Sequence, residues 1–280
     1  MKRVIIWGAG GTGKNILPQV QEKYQVLCFV DEDSRKWGTY IKEYGIYEPA
    51  KAIAGMKYDF VIIASAPGLD SVTDKLLSMG ISEEKIISTY VLQPLESRRQ
   101  FIRNLAAVFE EENIEGACAE AGVFEGDFAK YINLYFPERK LYLFDTFEGF
   151  CECDILIEEK LGVSKAQTSD YSYTSAEMVK SKMPYVNQVE IIKGYFPDSA
   201  LNISRKFCFV NLDLDLYQPT LKGLKWLRDK IVQGGVILVH DYYSEIFKGP
   251  RMAVDEFVKE NNGIKKLPIG DGISIMLYGF

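Results

Sequence analysis

Along this chain the apolar positions gather in short unbroken runs, and most of those runs stop at a glycine or an acid. Arg3-Val4-Ile5-Ile6-Trp7 passes at once into Gly8-Ala9-Gly10-Gly11-Thr12-Gly13, and Val26-Leu27-Cys28-Phe29-Val30 stops at Asp31. Tyr58-Asp59-Phe60-Val61-Ile62-Ile63-Ala64-Ser65 and the shorter Lys85-Ile86-Ile87-Ser88 continue the series. Runs that are apolar on both faces predict strands of a parallel sheet covered by helices. Residues 14–23 and 69–79 supply the intervening helical spacing, with Pro18 a minor irregularity. Residues 1–92 therefore read as one compact α/β unit.

Val91-Leu92-Gln93-Pro94 breaks the pattern, and a helix is expected over residues 95–112. Its positions Phe101, Ile102, Leu105, Val108 and Phe109 keep helical spacing, so one face is buried. Arg98, Arg99 and Arg103 on that helix are within reach of an anionic substrate, although a solvated face is the preferred reading. A second α/β series follows. Ala117-Cys118-Ala119 leads into a glycine loop and a helix at 128–134, and Leu141-Tyr142-Leu143-Phe144 ends in Asp145. Further runs end at Gly194, Asp213 and His240, and residues 264–267 and 273–277 suit an antiparallel edge hairpin. Residues 151–185 are polar, rich in Tyr and Ser, and interrupt the alternation. They read either as a lid offering Tyr171, Tyr173 and Tyr185 to an acceptor or as an ordinary surface excursion. The fold class is α/β with two Rossmann-like units, residues 1–92 and 93–280.

Composition narrows the setting. The 280 residues are 47% hydrophobic and 26% charged, as in a soluble globular protein with one large or two moderate cores. A net charge of -6 argues against nucleic-acid phosphates as the partner. No apolar run approaches the ~18 residues that span a bilayer. Met1-Lys2-Arg3 enters a strand directly, without a cleavable signal pattern. A cytoplasmic protein without a membrane partner is expected. Cys28, Cys118 and Cys208 lie in strand-like runs and read as inert buried thiols. Cys151 and Cys153 lack a second Cys/His pair, so no zinc site is expected there. The single histidine, His240, excludes mechanisms that need two.

The first glycine loop carries chemistry. Gly8, Gly10 and Gly13 form G-x-G-x-x-G between strand and helix, with Asp31 about 20 residues beyond. The glycines permit a tight turn, close phosphate approach and close helix–strand packing, and the acid suits ribose hydroxyls. A nucleotide or nucleotide-sugar is the expected ligand, NAD is an alternative, and a purely structural role stays open. The same residues nearly spell a phosphate loop ending at Lys14. Asn15 then stands where the magnesium-binding Ser or Thr belongs, so an ATPase is discounted. Tyr47 and Lys51 have the spacing of a short-chain dehydrogenase dyad. They fall on a loop holding Pro49, too soon after Asp31 to face a nicotinamide, and chance explains them better. The unit resembles small Rossmann-like nucleotide-binding domains at the N-termini of sugar-modifying enzymes.

The second half is organised around Phe207-Cys208-Phe209-Val210-Asn211-Leu212-Asp213-Leu214-Asp215-Leu216-Tyr217. Gly235-Val236-Ile237-Leu238-Val239-His240-Asp241 gives a second acid-terminated strand. Two such strands side by side would form a divalent-metal site; solvated strand-end carboxylates are the alternative for either pair alone. Upstream, the loop over residues 120–127 has the form E-x-G-x-x-x-G, with Glu120, Gly122 and Gly126, followed by Asp145. Fewer amides than in the first loop face a pyrophosphate. That suits a ligand with a ribose and a cationic amino-acid tail, such as S-adenosylmethionine. On this reading Glu120 meets the ammonium, Gly122 and Gly126 admit the methionine end, Asp145 takes the ribose, and Gly194 and Tyr195 line the adenine.

Six stretches then carry a resemblance. They are residues 120–126, Phe144-Asp145-Thr146-Phe147-Glu148-Gly149-Phe150, Gly194-Tyr195-Phe196-Pro197-Asp198, Asp213-Leu214-Asp215-Leu216-Tyr217, residues 234–242, and Gly249-Pro250-Arg251-Met252-Ala253-Val254-Asp255-Glu256-Phe257. Together they resemble the macrocin O-methyltransferases and their relatives acting on the noviose sugar of aminocoumarin antibiotics, over residues ~95–280. The resemblance implies a class I methyltransferase fold and a magnesium-dependent transfer from S-adenosylmethionine to a sugar or nucleotide-sugar hydroxyl. It makes Asp213 a metal ligand and Asp215 the general base, and it places the remaining ligands at His240 and Asp241. His240 replaces an Asp of the family pattern; magnesium prefers oxygen, which opens the identity of the metal. The N-terminal unit would hold the nucleotide end of the acceptor or shape a homodimer. The rival readings are an NAD-dependent sugar oxidoreductase or epimerase, and a non-catalytic nucleotide-binding module.

Overall fold

The computed structural model describes residues 1–65 and 68–280. The chain divides into two compact units, Met1–Glu96 and Ser97–Phe280. In the first, β1 (Lys2–Trp7), β2 (Tyr24–Val30), β3 (Tyr40–Ile41), β4 (Tyr44–Tyr47), β5 (Phe60–Ile63) and β6 (Ile86–Ile87) form one sheet in the order β3-β4-β2-β1-β5-β6. All neighbouring pairs are parallel except β3 with β4. The strand order reverses between β1 and β5, and the glycine loop leaves the carboxyl end of β1 at that point. Helices α1 (Gly11–Lys23), α2 (Pro49–Gly55) and α3 (Leu69–Ser78) complete the unit. Val4 and Ile6 pack on one sheet face with Leu17 and Phe29, and Ile5 and Trp7 pack on the other with Ile53 and Leu76.

Two local expectations change here. The hairpin β3–β4 was not legible, because its strands are short and half-polar. As a result Tyr47 ends a strand and Lys51 lies in α2, where it pairs with Glu48 at 2.6 Å.

The unit boundary falls inside α4 (Thr89–Glu111), after Glu96 and not after Leu92. Pro94 sits within this helix instead of ending the previous element. Beyond the boundary, Phe101, Ile102, Leu105 and Phe109 pack into the core of the second unit, whereas Val108 is exposed.

The second unit continues with β7 (Ala117–Ala121), α5 (Ala129–Tyr135), β8 (Leu141–Asp145), α6 (Glu152–Leu161), α7 (Ala176–Ser181), β9 (Val189–Lys193) and β10 (Phe207–Leu212). It closes with α8 (Tyr217–Leu227), β11 (Ile231–Val239), α9 (Gly249–Glu260), β12 (Lys265–Pro268) and β13 (Ile275–Tyr278). The seven strands lie in the order β12-β13-β11-β10-β7-β8-β9. β7 to β11 are mutually parallel, and β13 runs antiparallel beside β11 with β12 outside it.

Strand order reverses between β7 and β10. In open α/β sheets ligands collect outside the carboxyl ends of strands at such a switch point. Every residue of β10 is buried, from Phe207 to Leu212, so the chain surfaces only at Asp213. Cys28, Cys118 and Cys208 are buried free thiols, and Cys151 and Cys153 form a disulfide at the start of α6. Among the described residues no helix is long and apolar enough to cross a membrane.

Candidate active site

The carboxyl ends of β7, β8, β10 and β11 bring the second-unit candidates together. Glu120 on β7 stands opposite Asn211 on β10 in the parallel register, and Asn211 donates to its Oε1 at 2.7 Å. Glu120 is 2% exposed, and its Oε2 has no partner, nor has Oδ1 of Asn211. Burial, with Asp213 nearby, raises the Glu120 carboxyl to about 8 against the opposing bond from Asn211. An orphaned acceptor at the foot of a glycine loop is the feature a ligand's ammonium would satisfy.

The glycine loop is tied down from below. Gly122 has φ +81, and a Cβ there would lie 1.8 Å from the carbonyl oxygen of Asp213. The bare backbone thus lets the β7 and β10 loops touch. Gly126, also at positive φ, faces Val179 and Met183 of the α7 region. Asp145 accepts from the Val123 and Phe124 amides at 2.7 and 2.9 Å and from the Phe147 amide at 2.7 Å. Its carboxylate clamps the loop, with one lone pair left for a ribose hydroxyl. Gly194 follows β9, and the Tyr195 hydroxyl donates to Asp154 at 3.2 Å.

Asp213, His240 and Asp241 place one donor atom each within 4.8 Å of one another. His240 Nδ1 lies 2.9 Å from Asp213 Oδ1 and 3.1 Å from Asp241 Oδ2. Burial disfavours the charged ring, but Asp213 and Asp241 outweigh it despite Arg98 and raise His240 to about 10. For Asp241, burial is overcome by the His240 charge and by hydrogen bonds from His240 and Asp215, giving about 2. Asp215 behaves oppositely. Burial, Asp241 and Asp213 hold its carboxyl well above the usual range, protonated and bonded to Asp241. Asp215 and Asp241 both adopt left-handed backbone, at φ 59 and φ 57. Such strain, about 1–3 kcal/mol per residue, collects where surrounding structure overdetermines a functional geometry.

Arg98 was read as solvated and is instead 6% exposed, with Nη2 3.4 Å from Asp213 Oδ2 and its guanidinium 4.0 Å from the Phe128 ring centre. Helical spacing put it beside Ile102 on the buried face, which was the available signal. Glu158 on α6 was also missed: its Oε1 accepts from the Tyr217 amide at 2.7 Å, anchoring the chain just after Asp215. Tyr171 and Tyr173 both meet the Phe124 ring edge-on, at 5.2 and 5.0 Å, and Asp215, Asp241 and Asp213 add to burial in raising Tyr171. Tyr185 lies apart, its amide on Asn133.

In the first unit, Asp31 Oδ2 accepts from the Ala9 amide at 2.8 Å and from Lys36 at 2.9 Å, and its Oδ1 accepts from the Asp33 amide. This is the same clamp that Asp145 makes. A Cβ on Gly13 would meet the Gly8 carbonyl at 2.1 Å, whereas Gly10 at the loop tip faces open space.

A central parallel sheet whose order reverses between first and fourth strands, closed by an inserted antiparallel strand, is the class I methyltransferase fold. Solved structures agree on the fold. The O-methyltransferase NovP is 22% identical with a TM-score of 0.52, over 65% of this chain and 79% of its own. CalS11, a calicheamicin methyltransferase, is 17% identical with a TM-score of 0.52, over 76% and 86%. Residues 95–274 match the macrocin-O-methyltransferase (TylF) family, and the chain belongs to it. Residues 1–87 match the family described as C2185-like, N-terminal. No curated protein matches the chain.

Proposed function

We propose that this methyltransferase moves the methyl group of S-adenosylmethionine to a hydroxyl of a sugar or nucleotide-sugar. One observation carries the reading. At the switch point, the orphaned Glu120 Oε2 on β7 stands one strand away from Asp213 and Asp215 and two from His240 and Asp241. The first suits a donor with an amino-acid tail, and the other four residues suit activation of a weakly acidic hydroxyl.

Asp215 takes the proton of the acceptor hydroxyl. The oxygen attacks the methyl carbon, a C–O bond forms as the C–S bond breaks, and S-adenosylhomocysteine leaves. The raised pKa of Asp215 makes it a strong base once its proton is gone, and a cation held by the neighbouring acids would favour that state. Two carboxylates and an imidazole fit a divalent cation that accepts mixed nitrogen and oxygen ligands, such as manganese, better than magnesium alone. Held by Asp213, His240 and Asp241, such a cation would lower the pKa of the acceptor hydroxyl.

In the first unit, Gly8, Gly10, Gly13 and Asp31 would bind a nucleotide or nucleotide-sugar. Gly10 leaves room for phosphate and Lys36 adds positive charge beside Asp31. A cytoplasmic setting fits this substrate.

Thermal shifts with S-adenosylhomocysteine, NAD(H), and UDP-, GDP- and dTDP-sugars, each with and without Mg²⁺ or Mn²⁺, test the proposal. S-adenosylhomocysteine and one nucleotide-sugar should each raise Tm. Stabilisation by NAD with none by S-adenosylhomocysteine would overturn it.

A further inference from the structure

Glu120 and Arg98 bring an acid and a cation into one buried region, and each has bonding capacity left over. Glu120 Oε2 and Arg98 Nε lie buried without partners, and both side chains are more than nine-tenths buried. Arg98 is held between Asp213, through a single 3.4 Å contact, and the Phe128 ring just past the glycine loop. Its charge reaches Glu120, whose ionisation it favours. Asn211 Oδ1 is a third unpartnered atom at the same place. A buried polar atom left without a partner is destabilising, because it has lost its water without gaining a bond. An acid and a cation left with partnerless atoms, each within reach of the other's field, persist at low cost when a ligand supplies the complementary pair.

An α-amino acid end carries one ammonium and one carboxylate on adjacent atoms. Glu120 answers the ammonium, and the carboxylate calls for a buried cation. We propose that Arg98 binds the α-carboxylate of the methionine portion of the donor, so that Arg98 and Glu120 together read the zwitterion. The inference rests on S-adenosylmethionine being the donor. The reacting methyl lies at the other end of that chain, so Arg98 is a binding residue and fixes where the sulfonium stands.

The rival is that Arg98 only neutralises Asp213. The two separate on ligands that differ in the carboxylate. Isothermal titration of the full chain at constant pH would compare S-adenosylhomocysteine, its decarboxylated analogue and 5′-methylthioadenosine, for wild type, Arg98→Met and Arg98→Lys, with circular dichroism confirming the fold. Wild type should prefer S-adenosylhomocysteine to the decarboxylated analogue by about 10- to 100-fold, as for a charge-assisted hydrogen bond. Arg98→Met should abolish that preference while leaving 5′-methylthioadenosine affinity unchanged, and Arg98→Lys should keep part of it. A folded Arg98→Met or Arg98→Lys chain that keeps the full preference, or loses affinity for all three ligands equally, would overturn the inference and leave the donor assignment standing. Absence of binding by all three to wild type would overturn the donor assignment and the inference together.

Discussion

Nδ1 of His240 stands 2.9 Å from Oδ1 of Asp213, bridging the matched ends of the parallel strands β10 and β11. With its pKa raised to about 10, the ring is an imidazolium at neutral pH and its proton lies between two carboxylates. A cation binding there must displace that proton. Its affinity should therefore rise with pH, by up to about tenfold per unit between pH 6 and 9, since one proton leaves per ion bound. Manganese should bind more tightly than magnesium, and His240→Asp, with oxygen ligands only, should narrow the gap. Titration calorimetry at several pH values reads both effects, and a pH-independent affinity would remove His240 from the ligand set.

Asp215 supplies the second prediction. Its carboxyl is isosteric with an amide, so Asp215→Asn should preserve the loop and the affinity for S-adenosylhomocysteine. Turnover should fall by about 10²–10⁴-fold, the usual contribution of a general base. A variant within threefold of wild-type turnover would assign the proton transfer elsewhere.

The fold was legible because the strands of a covered parallel sheet are continuous apolar runs, and in both units they stop at the glycines and acids of the loops. The grouping of Asp213 with Asp241 was legible for the same reason: both mark where buried strands reach solvent. What escaped was contact between elements distant in sequence. Glu158 reaching the Tyr217 amide and Arg98 reaching Asp213 depend on how α6 and α4 pack, and neither has a local motif. The proline at 94 misled in another way. It punctuates most helices, but the long apolar face of α4 carries the helix through it.

Glu120 ties stability to pH. Its folded pKa of about 8 lies above the ordinary carboxyl value of 4.5, so the folded chain holds the proton more tightly than the unfolded chain. The stability this contributes is complete below about 4.5 and is lost as pH rises through about 8. Raising the pH from 5 to 9 should lower Tm, and Glu120→Gln, which cannot ionise, should flatten part of that slope. Binding of an ammonium-bearing ligand favours the carboxylate, so S-adenosylhomocysteine should release a proton from Glu120 at neutral pH. Calorimetry in buffers of different ionisation enthalpy would detect it, and an equal release by Glu120→Gln would place the proton on another group.

The two glycine loops should respond differently to one added methyl group. At Gly122 the backbone has φ +81 and the new Cβ would overlap the Asp213 carbonyl oxygen, so either the β7 loop or the β10 loop must move. The left-handed backbone alone costs an alanine about 1–2 kcal/mol, and moving the loops adds to it. Gly122→Ala should therefore lower Tm, weaken S-adenosylhomocysteine binding and displace the acids that follow β10. At Gly10 the backbone is at φ -91 and the Cβ meets nothing within 4 Å. Gly10→Ala should leave stability within the scatter of a neutral surface change, about 0.5 kcal/mol. Because the space above Gly10 is where a phosphate would approach, the same variant should weaken nucleotide-sugar binding. Wild-type nucleotide-sugar affinity in Gly10→Ala would make the first loop a structural turn, whatever the second unit does.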